Sequence, residues 1–343
     1  MMNISKSILS IFLPAALLLA ACGPADVVNP VTPVTPVTPD DPTPDDPTPV
    51  DPTPSGETVS MTICTFNLRY ANTADTFPDG SSAAWSVRAP AVKKFVEAAD
   101  PDLIGLQEIR KEQSQYFTSN FGTEYGYYDV ARDNASGSTV ATAGGEGVGL
   151  LYKKDRFEVL QKDFFWLDNP MRSLPAKNSD GTYGAWNSAC RRVTVYVKLK
   201  DKKHGDSIVY FFPTHYDHKS TTARQNSADL MVAQIKNICK VDDIKNADCV
   251  IFHVGDLNTS YDNTQLKSLN DNMNYARLSV KSTDAYTGTF NGFKNTDSGS
   301  LIDHIYFGGK DIVPKAYWVD RTNYGVPFIS DHYPVLFKWE YKQ

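Results

Sequence analysis

Runs of consecutive apolar residues recur along the chain from Val59 onward, each broken by a polar or glycine-rich stretch. The runs are Val59–Phe66, Leu103–Gln107, Val148–Tyr152, Val193–Leu199, Ile208–Pro213, Cys249–Val254, Leu301–Phe307 and Val335–Tyr341. They are rich in Val, Ile, Phe and Tyr, and they lack strict alternation. That pattern predicts strands, several of them buried on both faces. Two segments carry helical spacing instead. One is Ala89–Ala99. The other is Thr222–Ile238, with Ala228, Met231, Val232, Ile235 and Ile238 on one stripe and the capping residues Ser220, Thr221 and Thr222 at its start. Strand–strand and strand–helix neighbours both occur. The mixture predicts an α/β (α+β) sandwich of two packed mixed sheets flanked by helices rather than a doubly wound parallel sheet.

The first part of the chain has a different pattern. A lone Lys6 precedes an apolar run, Ile8–Ala21, that is interrupted by Pro14. A membrane span needs about 20 apolar residues, so the run reads as a secretory leader. Its end, Leu19-Ala20-Ala21-Cys22, resembles a bacterial lipobox, in which the cysteine is lipidated. Residues 1–21 are therefore expected to be a lipoprotein signal and Cys22 the anchor to the membrane; cleavage near Ala21 without lipidation is the plainer alternative. Residues 22–56 hold 11 of the chain's 21 prolines in Val-Thr-Pro and Asp-Pro-Thr-Pro units. Proline fixes φ and favours an extended, semi-rigid spacer with nothing to bury. Residues 57–343 are left as one catalytic-sized domain.

Separating the tether changes the meaning of the net charge of −6. Residues 1–57 contain seven acidic residues against one base, which leaves 33 of the 40 acids and 33 of the 34 bases in the remainder. The globular part is formally neutral. A protein that grips long DNA shows a basic excess, and this one has none overall. Of five cysteines, Cys22 belongs to the leader motif, and no zinc spacing is present. Cys239 and Cys249 are the close pair: in an exported chain they are bridged or are simply small buried side chains.

Candidate chemistry lies where the apolar runs stop. Val59–Phe66 ends in Asn67, Leu103–Gln107 in Glu108, Ile208–Pro213 in Thr214-His215, and Cys249–Val254 in Gly255-Asp256-Leu257-Asn258; Ile329 leads into Ser330-Asp331-His332. One acid after a strand is an ordinary solvated turn residue. Five such endings can converge on one cleft at a sheet rim.

The motifs TFNLR, LQE, THYDH, GDLN, LIDHIYF and SDHYPV resemble, in kind, order and spacing, those of the endonuclease/exonuclease/phosphatase family, over Phe66 to Val335. The resemblance implies a four-layer α/β sandwich and hydrolysis of phosphate esters with Mg²⁺, Mn²⁺ or Ca²⁺, which carboxylate and amide oxygens suit better than they suit zinc. It implies Glu108 as metal ligand, shared or buttressed by Asn67 with Asp331 close by. Asp256 would orient or deprotonate the attacking water and Asn258 would bond the phosphate. Asp303 would accept the ring N–H of His332, and His215 would touch the phosphate. Two weaker correspondences are Glu146 as support for His215 and Arg192, rather than Arg191, as phosphate contact. Asp217 and His218 read as loop support, His253 as a core residue and His304 as pointing away from Asp303. Trp85 and Arg88 belong to the rim or to the structure beneath it, and Phe164, Phe165, Trp166 and Trp186 to the core or to a cleft wall. The segment Ser300–Ile305 lacks the WCDR-like sequence of the inositol-polyphosphate branch. Three functions remain for a protein expected to be monomeric: an envelope phosphodiesterase acting on nucleic acid; a phosphatase or phospholipase C-like enzyme acting on small phosphorylated molecules or lipid head groups; and a surface-anchored binding protein on the same fold.

Overall fold

A computed structural model describes residues 59–281, 288–294 and 299–342. The leader, Cys22 and the tether lie outside the described residues. The first sheet takes β1 (Ser60–Asn67), β2 (Leu103–Ile109), β3 (Tyr125–Ala131), β4 (Gly147–Lys153), β11 (Ile312–Val319) and β12 (Val335–Tyr341), in the order β11-β12-β1-β2-β4-β3. The second takes β5 (Phe157–Trp166), β6 (Val193–Asp201), β7 (Ser207–His215), β8 (Val250–Asp256), β9 (Asn274–Tyr275) and β10 (Asp303–Gly308), in the order β5-β6-β7-β8-β10-β9. The helices are α1 (Trp85–Ala99), α2 (Lys111–Phe121), the short α3 (Val140–Ala143), α4 (Thr221–Cys239) and α5 (Lys267–Asn272).

Strand alternation builds the layers. Ile63, Leu150, Val195, Phe211, Phe252, Ile305 and Trp339 form a core shared by both sheets. Their neighbours Cys64, Phe66, Leu106 and Leu151 face the other way, against Val92 and Phe95 of α1 and Phe117 of α2. On the far side Tyr196, Phe212 and Ile251 receive Ala228, Met231 and Ile235 of α4. Both faces of each central strand are buried, as the unbroken apolar runs predict. The result is a helix–sheet–sheet–helix sandwich. Ser220 caps α4, its Oγ accepting from the Ala223 amide. The helix predicted over Ala89–Ala99 begins earlier, at Trp85, and so includes Trp85 and Arg88; both are buried. Cys64, Cys190, Cys239 and Cys249 are free thiols, so of the two expectations for Cys239 and Cys249 the unbridged one describes them.

Two buried histidines are structural. His253 Nδ1 donates to the Phe212 carbonyl and Nε2 accepts from Tyr216 Oη; His304 Nε2 donates to the Thr259 carbonyl and Nδ1 accepts from Tyr275 Oη. Each ring has one acceptor and one hydroxyl partner, which the neutral tautomer satisfies. Burial pushes both down to about 4. The unfolded chain therefore binds protons from about pH 6.5 downward while the folded protein does not. Stability should be fully present above that pH and fall toward pH 4, by on the order of 3 kcal/mol per histidine. Urea midpoints measured between pH 7.5 and 4.5 should decline, and decline less in His253→Gln. A flat profile would contradict this reading.

Candidate active site

The strand register brings the candidate residues to one rim. Parallel pairing of β1 with β2 sets Asn67 beside Gln107, and parallel pairing of β7 with β8 sets His215 beside Asp256. Antiparallel β10 opens with Asp303 opposite Asp256, and antiparallel β12 opens with Val335 opposite Thr65, so the Ser330–His332 segment enters at the same end. Glu146 and Arg192 stand just before β4 and β6, whose starts pair with Ile109 and Thr214 regions of their antiparallel neighbours.

The backbone is adjusted at this rim. The β2–β4 register shifts between Leu106 and Ile109, and Glu108 has φ 58°. The bulge turns its carboxylate into the cleft, a left-handed conformation that a non-glycine residue holds only under outside support. In GDLN, a Cβ on Gly255 would sit 2.1 Å from the Thr214 carbonyl oxygen, so the first letter of the motif must be glycine. Asn258, at φ 52°, turns the chain so that its side-chain amide donates to the Tyr216 carbonyl while its backbone N–H donates to Asp256 Oδ1.

Asp256 is the centre. Its Oδ2 accepts from Asn67 Nδ2 at 3.0 Å and lies 3.5 Å from His215 Nε2 and 3.8 Å from His332 Nε2. Burial, with the Asp303 carboxylate, pushes it up to about 7. The two histidines are driven apart. Burial and the Arg192 and Arg132 guanidiniums hold His215 well below the usual imidazole range. Burial opposes charge on His332 as well, but Asp303, Asp256 and Asp331 overcome it and raise the ring to about 10. His332 Nδ1 donates to Asp303 Oδ2 at 2.8 Å, and the same oxygen accepts from Thr289 Oγ1 at 2.6 Å. The site thus presents one cationic and one neutral imidazole beside a carboxylate poised near neutrality.

Glu108, Asp331 and Asn67 were expected at the metal. Glu108 and Asp331 line one cavity of about 530 Å³. Burial raises Asp331, and the charge of Glu108 raises it further. Two hard carboxylates that repel each other in a buried corner fit a divalent cation, which relieves the repulsion. Asn67 is a buttress: its Nδ2 donates to Glu108 and Asp256 and its Oδ1 accepts from the Arg69 amide. Asp256, Asp303 and His332 form a more compact set, one ligand-type atom from each lying within 4.8 Å of the others. Asp303 Oδ2 accepts from His332 and Thr289, and the carboxylates around His332 hold its ring in the protonated form, which cannot ligate a metal, so we read that set as a proton-handling unit.

Arg192 is 4 % exposed; Nη2 bonds His218 Nδ1 at 2.9 Å and Nε stands 3.7 Å from Asp217, while among the described residues Nε and Nη1 have no hydrogen-bond partner. Unpartnered buried guanidinium donors at a cleft wall mark an anion site. Arg191 is structural, bonded to the Pro175 carbonyl and Asp133. Asp217 supports the loop, accepting from the amides of Cys190, Lys219 and Ser220. Glu146 differs from its expected role: it pairs with Arg132, and among the described residues no hydrogen bond joins it to His215. Arg69, Arg110 and Arg132 also line the cavity and were not singled out from the sequence. Arg69 was visible inside TFNLR; Arg110, Arg132 and Thr289 stand in no motif. Phe165 and Trp166 are core residues, and Phe164 and Trp186 pack against the core.

A two-sheet sandwich with a carboxylate, two histidines and paired acids at one rim is the architecture of a metal-dependent phosphoesterase. The chain belongs to the endonuclease/exonuclease/phosphatase family, whose model matches residues 64–332. It is similar to three solved structures. An endonuclease/exonuclease/phosphatase from Bacteroides vulgatus is 27% identical over 83% of this chain and 100% of that one, with a TM-score of 0.68. A family member from Bacteroides thetaiotaomicron is 25% identical over 84% and 100%, with a TM-score of 0.71. A mannosyl-6-phosphatase from the same organism is 26% identical over 81% and 99%, with a TM-score of 0.70. No curated protein matches the sequence.

Proposed function

We propose that the protein is a Mg²⁺- or Mn²⁺-dependent phosphatase acting on small phosphorylated sugars, exported and held at the bacterial cell envelope by lipidated Cys22. The observation that carries the substrate reading is the cavity itself. Its cations, Arg69, Arg110, Arg132 and Arg192, line one pocket with both histidines, and the domain outside carries no net positive charge. One anion-binding pocket suits a terminal phosphate; a nucleic acid asks for a basic track on both sides of the scissile bond. The likeness to a mannosyl-6-phosphatase supports the same reading. The nuclease reading retains the motif set and is the second choice. The leader ending at Cys22 and the proline-rich spacer support an envelope location, on a monomer tethered to the membrane.

Asp256, near neutrality, orients the attacking water and takes its proton. Arg192, neutral His215 and Asn258 hold phosphoryl oxygens. The His332 imidazolium, held by Asp303, stabilises charge at the leaving oxygen. Glu108 and Asp331 would hold a divalent metal ion, which would supply Lewis-acid neutralisation of the phosphate. EDTA should abolish phosphate release from a hexose 6-phosphate, and excess Mg²⁺ or Mn²⁺ should restore it. Undiminished activity in EDTA would remove the metal from the proposal.

A further inference from the structure

Large apolar side chains that stay in water call for a reason. Among the described residues four are exposed, Val87, Leu160, Leu278 and Phe290, and of these Phe290 alone lines the cavity. It is 39% exposed. Its ring meets the imidazole of His332 edge to face, with centroids 5.0 Å apart and planes at 63°. The position is fixed by backbone contacts. Phe290 forms a β-bridge with His332 and donates its N–H to the Ser300 carbonyl, Tyr333 N–H donates to Thr289 O, and Asn291 N–H donates to Asp331 O at 2.7 Å. A rigid aromatic surface therefore stands beside the imidazolium that faces the leaving oxygen. Tyr70, the other phenyl-type ring lining the cavity among the described residues, already carries the guanidinium carbons of Arg69 and Arg110 over its ring, at 4.3 and 4.5 Å.

We propose that Phe290 is the platform on which the ring of the leaving sugar rests, and that it makes the enzyme select pyranose phosphates over open-chain phosphates. This deepens the phosphatase reading and rests on it. A pyranose has one face of polarised C–H bonds and a rim of hydroxyls. The C–H face is attracted to the negative face of an aromatic ring and removes it from water. The hydroxyl rim stays free for the polar wall of the cavity. An open-chain alcohol offers no such face.

The test compares kcat/KM for a hexose 6-phosphate and for glycerol phosphate, with Mg²⁺, in the wild type, Phe290→Ala, Phe290→Trp and Leu278→Ala. The ratio of the two should fall roughly tenfold in Phe290→Ala, through KM for the hexose phosphate, and return in Phe290→Trp. Leu278→Ala, exposed away from the cavity, should keep the wild-type ratio. In Phe290→Trp the indole fluorescence should also shift on addition of the hexose 6-phosphate, a readout that needs no turnover. An unchanged ratio in Phe290→Ala, or a Trp signal indifferent to the sugar, would overturn the platform while leaving the phosphatase standing. Wild-type protein that hydrolyses neither ester would overturn both.

Discussion

Asp256→Asn should lower kcat by about 10²- to 10⁴-fold, the range for loss of a positioned general base. The substitution is nearly isosteric, and its one oxygen can replace either the acceptor of Asn67 Nδ2 or that of the Asn258 backbone N–H, which bond different oxygens of Asp256. It removes one of the carboxylates that keep His332 protonated, so the cation that faces the leaving oxygen weakens together with the base. Stability should change little, because the hydrogen bond lost at one oxygen is offset by relief of a burial penalty. Burial penalises the charged form of Asp256, and a neutral amide relieves that penalty. A variant that melts near the wild-type temperature and has lost activity is the expected result. Retention of more than a tenth of kcat would remove Asp256 from the centre of the mechanism.

Arg88→Met should destabilise the fold by on the order of 3–5 kcal/mol. Arg88 is fully buried, and its guanidinium donates to the carbonyls of Ala83, Leu68, Ile329 and Arg69 at 2.7–3.0 Å. Burial lowers its pKa to about 10, so it remains charged at neutral pH. Methionine fills similar space and leaves the carbonyls of Ala83, Leu68 and Ile329 without the Arg88 donor, while the Arg69 carbonyl keeps Gln113 Nε2. Those carbonyls belong to the segment after β1 and to the residue before Ser330, so the change also loosens Arg69, Asp331 and His332. Lysine has three N–H donors on one atom and cannot span the four carbonyls in the guanidinium's fork, so Arg88→Lys should recover little. Urea denaturation measures the loss, and a change below about 1 kcal/mol would show that the carbonyls find other partners.

The central strands were legible in the sequence because both of their faces are buried, which makes them continuous apolar runs. The strands that escaped notice are the four sheet edges. β3 reads YGYYDVA; β5 reads FEVLQKDFFW and is exposed along its middle; β11 contains Pro314 and a register shift; β9 is two residues long. An edge strand has one neighbour and one open side, so polar residues and proline are tolerated there and the pattern disappears. The site was legible for a related reason. Its carboxylates and imidazoles sit at or near the ends of buried strands, and the change from apolar to polar marks them. Arg88, Arg110, Arg132 and Thr289 act through contacts with residues 14 to more than 200 positions away, which no local pattern records. Glu146 shows the same limit. Its place before β4 was readable, but its partner Arg132 enters from β3's end, across the sheet.

The most direct measurement of the central claim is phosphate release by the purified protein from a hexose 6-phosphate, beside cleavage of single- and double-stranded DNA, with and without Mg²⁺. The expected result is metal-dependent release from the sugar phosphate, lost in Asp256→Asn, and little or no scission of DNA. Efficient metal-dependent DNA cleavage with no turnover of the sugar phosphate would contradict it.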